Sequence, residues 1–201
     1  MTAPTLVADT SNAPVLSVSP IALPAPDRAV DLQVRVSAPV TGSELPIILL
    51  SHGHGLSNNL SSLNGYGPLA NHWAARGFVV IQPTHLDSKT LSLDSADPEA
   101  PLHWRSRAED MTRILDHLDP YVLSPGPKSL LTLFDAEHCL GGISGYDAAE
   151  TTDENPRRVA AVQALTWAYL RSALYPGDSA WQTTCAELTS GVDGVGRIES
   201  K

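Results

Sequence analysis

Residues 45–57 read LPIILLSHGHGLS, an unbroken apolar run that stops on Ser51 and His52 and then turns through Gly53 and Gly55. A strand with one face in water alternates apolar and polar residues. A run without alternation marks a strand covered on both faces, the habit of parallel sheets. Just downstream, GYGPLANHWAARG (65–77) sets Leu69, Ala70, Trp73 and Ala74 at helical spacing and stops on Gly77, and FVVIQPTHL (78–86) is a second run without alternation. Strand, helix and strand with short connections make a crossover unit. The expected fold class is therefore α/β, with a short, mainly parallel sheet and flanking helices.

Working outward from this unit, VLSVSPIAL and VDLQVRVSAP alternate around the turn PAPDRA and predict an N-terminal antiparallel hairpin. Residues 1–14 are small, polar and proline-spotted, a loose arm. In 103–118, Trp104, Ala108, Met111, Leu115 and Leu118 recur at spacings of three and four. That pattern predicts an amphipathic helix with this stripe buried, Glu109 and Arg113 paired on the outer face, and Arg107 with Asp110 as a packing ion pair. SLLTLFDAEH (129–138) reads as a third buried strand, followed by an acidic, glycine-bearing loop. Asn155 and Pro156 are a cap and first-turn pair for a helix to about Leu174, and Trp181, Cys185 and Leu188 mark a short last helix. One domain over 15–190 and a glycine-rich tail over 191–201 complete the division.

The 201 residues, 42% hydrophobic and 17% charged, suffice for one core. Thirteen basic against 22 acidic residues give a net charge of -9, which repels phosphate backbones and anionic lipid headgroups, so neither nucleic acid nor a membrane is an expected partner. Cys139 and Cys185 match no zinc spacing and read as free thiols. The opening MTAPTLVADTSNAPVLSV has no Lys or Arg and no sustained apolar block, and the expected location is cytoplasmic. The glycine-rich tail follows a helix and not a strand, which removes the dinucleotide-loop reading, and no cofactor is expected.

In open α/β sheets the reactive groups gather at the carboxyl ends of the strands. Three such ends are legible: His52-Gly53-His54-Gly55, Thr84-His85-Leu86-Asp87, and Asp135-Ala136-Glu137-His138. LSHGHGLSNN, GFVVIQPTHLDS, WRSRAEDMTRILDHL and FDAEHCLGGISGYD, within 15–175, resemble the chlorophyllase and platelet-activating-factor-acetylhydrolase-like serine esterases of the α/β-hydrolase superfamily. The resemblance implies a small-molecule ester substrate. It also implies that the N–H of His54, in the turn with Gly53 and Gly55, gives half of the oxyanion hole, and that His138 is the general base. Glycines let a backbone approach an oxyanion closely, and imidazole titrates near neutral pH.

The departure from that family lies in the middle of the chain. Its members order the triad as Ser, acid, His, with the serine in a G-x-S-x-G elbow between strand and helix. Here only DPYVLSPGPK separates Leu118 from the strand starting at Ser129, and the prolines around Ser124 forbid the helix an elbow must start. Gly142-Ile143-Ser144-Gly145 is one residue short of an elbow, with no strand before it. Compared with the family, a block of strands and helices is missing at Asp119-Pro120, which describes an abridged α/β-hydrolase fold with impaired catalysis. Without that block, the 129–138 strand is expected beside the 45–52 strand, leaving a sheet edge open to homodimerisation. Ser51 and Ser57 lie near the turn, but no strained elbow presents them, which argues against their substituting as nucleophiles. Cys139 reads as a buried thiol, since its side chain and that of His138 point to opposite faces. Two other readings stay open: metal-assisted hydrolysis through His52, His54, His85, Asp87 and His138, and a non-catalytic remnant in which His138 is an idle strand-end histidine.

Overall fold

A strand covered on both faces needs a layer of helix or sheet above and below it, and the second of the two apolar runs has both. The computed structural model describes residues 12–53, 61–93, 103–118, 129–137, 139–143, 145, 152–190 and 194–200. In chain order these form β1 (Val15–Leu23), β2 (Leu32–Pro39), β3 (Ile47–Leu49), α1 (Gly67–Ala74), β4 (Val79–Pro83), α2 (Trp104–His117), β5 (Ser129–Leu133), α3 (Pro156–Leu174), α4 (Ala180–Ser190) and β6 (Gly196–Ser200).

The main sheet has four strands in the order β1-β2-β4-β3. The expected hairpin is present, with Leu23 opposite Leu32 and a register shift between Val18 and Ile21. The expected crossover unit is present as well: β3 and β4 pair in parallel, Ile47 opposite Val79 and Leu49 opposite Ile81, with α1 between them in sequence. However, β2 pairs antiparallel with β4, Val34 opposite Pro83 and Ser37 opposite Val80. The sheet is therefore mainly antiparallel rather than mainly parallel. The hairpin inserts next to the crossover unit instead of standing apart from it, a placement that depends on long-range pairing and not on either strand's own pattern.

Successive residues of β4 point to opposite faces. Val80 turns toward Leu69, Ala70, Trp73 and Ala74 of α1, with Phe78 and the α3 residues Val159 and Val162 in the same cluster. Ile81 turns the other way, into a second cluster with Leu32, Val34, Ala25 and Ile114 of α2. Thus α1 and α3 cover one face and α2 the other. β3 ends the sheet, is only three residues long and leaves Ile47 exposed.

The 129–138 segment does not lie beside β3. β5 pairs antiparallel with β6, Ser129 opposite Ser200 and Leu133 opposite Gly196, in a separate two-stranded sheet. The glycine-rich end expected as a tail supplies that partner strand. Gly196 sits where an added Cβ would lie 2.3 Å from the Thr132 carbonyl, so only glycine permits the approach. Asn155 caps α3 as its sequence foretold, its side chain accepting from the N–H groups of Arg157 and Arg158 at 3.1 and 3.2 Å. No helix among the described residues is long and apolar enough to cross a membrane.

α2 departs most from its sequence reading. The stripe beginning Trp104-Ala108 faces outward, with Trp104 67% exposed, while Asp110 and Ile114 are the buried positions. Nor do Glu109 and Arg113 form the expected pair, because Arg113 reaches Asp27 at 2.7 Å.

Phe78 is 1% exposed at the junction of β4, α1 and α3. Phe78→Ala is expected to lower the unfolding free energy by about 3–5 kcal/mol, read as a shifted urea midpoint at unchanged slope.

Candidate active site

At the carboxyl ends of the parallel pair, β3 runs out into Ser51 and His52, and β4 into Thr84 and His85. Ser51 Oγ lies 2.9 Å from His85 Nε2, and His85 Nδ1 lies 2.9 Å from Asp110 Oδ2, reached from α2 across the sheet end. A carboxylate only accepts, so Nδ1 carries the proton. In the neutral imidazole Nε2 is then the acceptor for the Ser51 hydroxyl. The result is a serine–histidine–aspartate relay in the tautomer that a serine nucleophile requires. Its histidine and aspartate are 0% and 1% exposed.

Two arginines complete the arrangement. Arg28, in the turn between β1 and β2, pairs with Asp110 from Nε to Oδ1 at 2.9 Å and donates from Nη2 to the Thr84 carbonyl at 3.0 Å. Burial lowers the Arg28 guanidinium from its ordinary value and the Asp110 carboxylate opposes that shift. Arg107, one turn before Asp110 on α2, donates to Asp87 Oδ2 at 2.8 Å, to Ser51 Oγ at 2.9 Å and to the His52 carbonyl. Arg107 and Asp110, expected to pair with each other, are each committed to a different partner.

His52 packs its ring against His85, with centroids 4.8 Å apart. Its Nδ1–H donates to the Gly53 carbonyl at 2.8 Å and its Nε2 accepts the His85 N–H at 3.0 Å. Burial pushes this imidazole from 6.5 down to about 4, against the raising effect of the Gly53 hydrogen bond. With both nitrogens used, His52 has no lone pair for a metal. The same holds for His85, and among the described residues no three His, Cys, Asp or Glu side chains converge in a metal-ligating group. Tyr66 closes the turn: a Cβ on Gly53 would sit 2.6 Å from its hydroxyl, so a larger residue there requires the Tyr66 side chain to move. Burial raises the Tyr66 phenol above its ordinary value, nearby Cys139 adds to the rise, and the Gly53 backbone hydrogen bond opposes it. Cys139 is a buried thiol, as expected.

Of the residues the sequence singled out, Gly53 is in the site and Ser51 is in hydrogen-bond contact with an imidazole. His54, Gly55, Ser57, Asp119, Ser124, His138 and Ser144 lie outside the described residues. His85 stands out in the sequence as a strand-end histidine, but its contacts with Ser51 and Asp110 do not. One signal was available: Arg107 and Asp110 share the side of α2 that carries Ile114, and charges beside a buried aliphatic point inward. No protein-family model, curated protein or solved structure matches the chain.

Two measurements test this geometry. Asp110→Ala strands the buried Arg28 and His85 without their acceptor and is expected to cost about 3–5 kcal/mol of unfolding free energy. In acid, the unfolded chain protonates His52 below pH 6.5, whereas the folded chain refuses the proton until about pH 4. Stability therefore falls as pH drops through that window, and His72, also held at about 4 by burial, adds to the fall. His52→Gln is expected to make this decline shallower in urea titrations, and an unchanged slope would refute a neutral, buried His52.

Proposed function

We propose that the chain is an abridged α/β-hydrolase that cleaves small carboxylic esters by acyl transfer, using Ser51 in place of the elbow serine that its sequence lacks. The single observation that carries the reading is the 2.9 Å contact of Ser51 Oγ with His85 Nε2, backed by the 2.9 Å contact of His85 Nδ1 with Asp110. The parallel β3–α1–β4 unit supports it by holding the relay at the strand ends where α/β sheets place chemistry.

In this mechanism Ser51 Oγ attacks the ester carbonyl while His85 Nε2 takes its proton, and Asp110 steadies the imidazolium through Nδ1–H. The proton then passes to the departing alkoxide. Water, deprotonated by the same imidazole, attacks the acyl-serine carbonyl and frees the acid and Ser51. Arg107 Nη2, 2.9 Å from Ser51 Oγ, is placed to meet the negative charge that develops next to that oxygen. The His54 N–H implied by the family resemblance would add a second donor. Turnover is slow by the standard of the complete enzymes, because Ser51 follows an ordinary strand and no strained turn lifts its hydroxyl toward a substrate.

A second reading has its own support. The Arg107 hydrogen bond to Ser51 Oγ, together with Arg28 on Asp110, gives every member of the relay a structural partner. The three groups then form a clamp joining β3, β4 and α2, with no chemistry.

A fluorophosphonate probe and a short p-nitrophenyl ester separate the two. Acyl transfer predicts labelling of the wild type at Ser51 and a drop in hydrolysis of at least about a hundredfold in Ser51→Ala, with the fold intact by circular dichroism. The clamp predicts no labelling and a loss of about 1 kcal/mol in stability for the same variant. An unlabelled wild type, or a Ser51→Ala variant that keeps its turnover, overturns the proposal.

A further inference from the structure

A helix that buries its charged side must show its other side to something. α2 points Asp110 and Ile114 at the sheet, leaving Trp104 67% and Leu115 37% exposed on the opposite flank. Between these two lie Ala108 and Thr112, both exposed, and the face lines an open groove of ≈370 Å³ with Arg105 near one end and Asp116 near the other. We infer that this face of α2 is the contact surface of a weak homodimer, in which α2 packs antiparallel against α2 of a second copy about a two-fold axis.

The pattern of the face selects the occupant. A two-fold interface uses the same patch twice, so it must complement itself after reversal. Arg105 and Asp116 stand eleven residues apart, about 16 Å along a helix, and on opposite sides of the midpoint between Ala108 and Thr112. Antiparallel packing centred there sets each Arg105 against the copy's Asp116 and lays each Trp104 over the copy's Leu115. The side chains at the crossing are small, which lets two helix axes approach to about 8–10 Å.

Charge also favours a copy at this place over others on the molecule. The chain carries a net charge of -9, and copies repel through most of their surface. Along the groove, however, Arg105 and Arg113 stand against Asp27, Glu109 and Asp116, so the patch is nearly neutral. The open edge of β3, expected from the sequence to mediate self-association, is only three residues long. The exposed stripe of a fourteen-residue helix is a small interface, and the dimer belongs at the weak end of the range. This inference does not rest on the proposed chemistry.

Sedimentation velocity on the full chain over a concentration series tests it. The expected result is a reversible monomer–dimer equilibrium with a Kd of roughly 10 µM to 1 mM. Trp104→Ser and Ala108→Glu should each raise Kd by at least about tenfold at an unchanged melting temperature, since both positions are solvent-facing in the monomer. Arg105→Asp and Asp116→Arg should each weaken association, and the two together should restore it, because the swap recreates the pair in reverse. A monomer throughout that range overturns the inference. So does a dimer indifferent to all four substitutions, the result expected of pairing through β3, and so does a double swap no tighter than the singles.

Discussion

The carboxylate of Asp110 is the point on which the rest of the molecule turns. It is 1% exposed, lies 2.9 Å from both His85 Nδ1 and Arg28 Nε, and together with Arg28 ties the β4 end, the β1–β2 turn and α2 to one another. A buried carboxylate is tolerable only when its lone pairs are answered, and a buried guanidinium only beside an anion. Each of these groups therefore makes burial of the other possible. Once α2 is pinned through Asp110, Arg107 one turn earlier reaches Asp87, Ser51 and the His52 carbonyl, so the strand ends and the helix are locked in one polar network.

That constraint explains why α2 is turned around relative to its apolar pattern. Burying Trp104 would gain a few kcal/mol from its area, but the rotation needed would carry Asp110 and Arg107 into solvent and strand Arg28 and His85 inside. The polar network wins because the cost of unpaired buried charge exceeds the hydrophobic gain of one stripe. A helix in this orientation joins the Ser51–His85–Asp110 contacts on one side and leaves Trp104 and Leu115 exposed on the other.

The local elements were largely legible. The hairpin strands, the crossover unit, the Asn155 cap and the extent of α3 follow from periodicity, capping residues and breakers, which act over a few residues. The site was half legible: the histidines at the strand ends and Gly53 stood out by residue type, whereas Ser51 and Asp110 acquire their meaning from partners 34 and 25 residues distant. Hydrophobic spacing also misassigned the inward face of α2, because such spacing registers apolar residues and is blind to a charge pair that must be buried.

By itself, then, the sequence determined the strands and helices other than β6, that β4 is buried on both faces, and that polar groups crowd the ends of the parallel pair. Only the tertiary structure decided that β2 lies against β4, that β5 joins β6 and not β3, and that Asp110 meets His85 and Arg28. The reason is physical. Backbone preferences and side-chain periodicity are short-range and repeat within a segment, while strand neighbours and buried ion pairs are settled by competition among distant segments for the same partners.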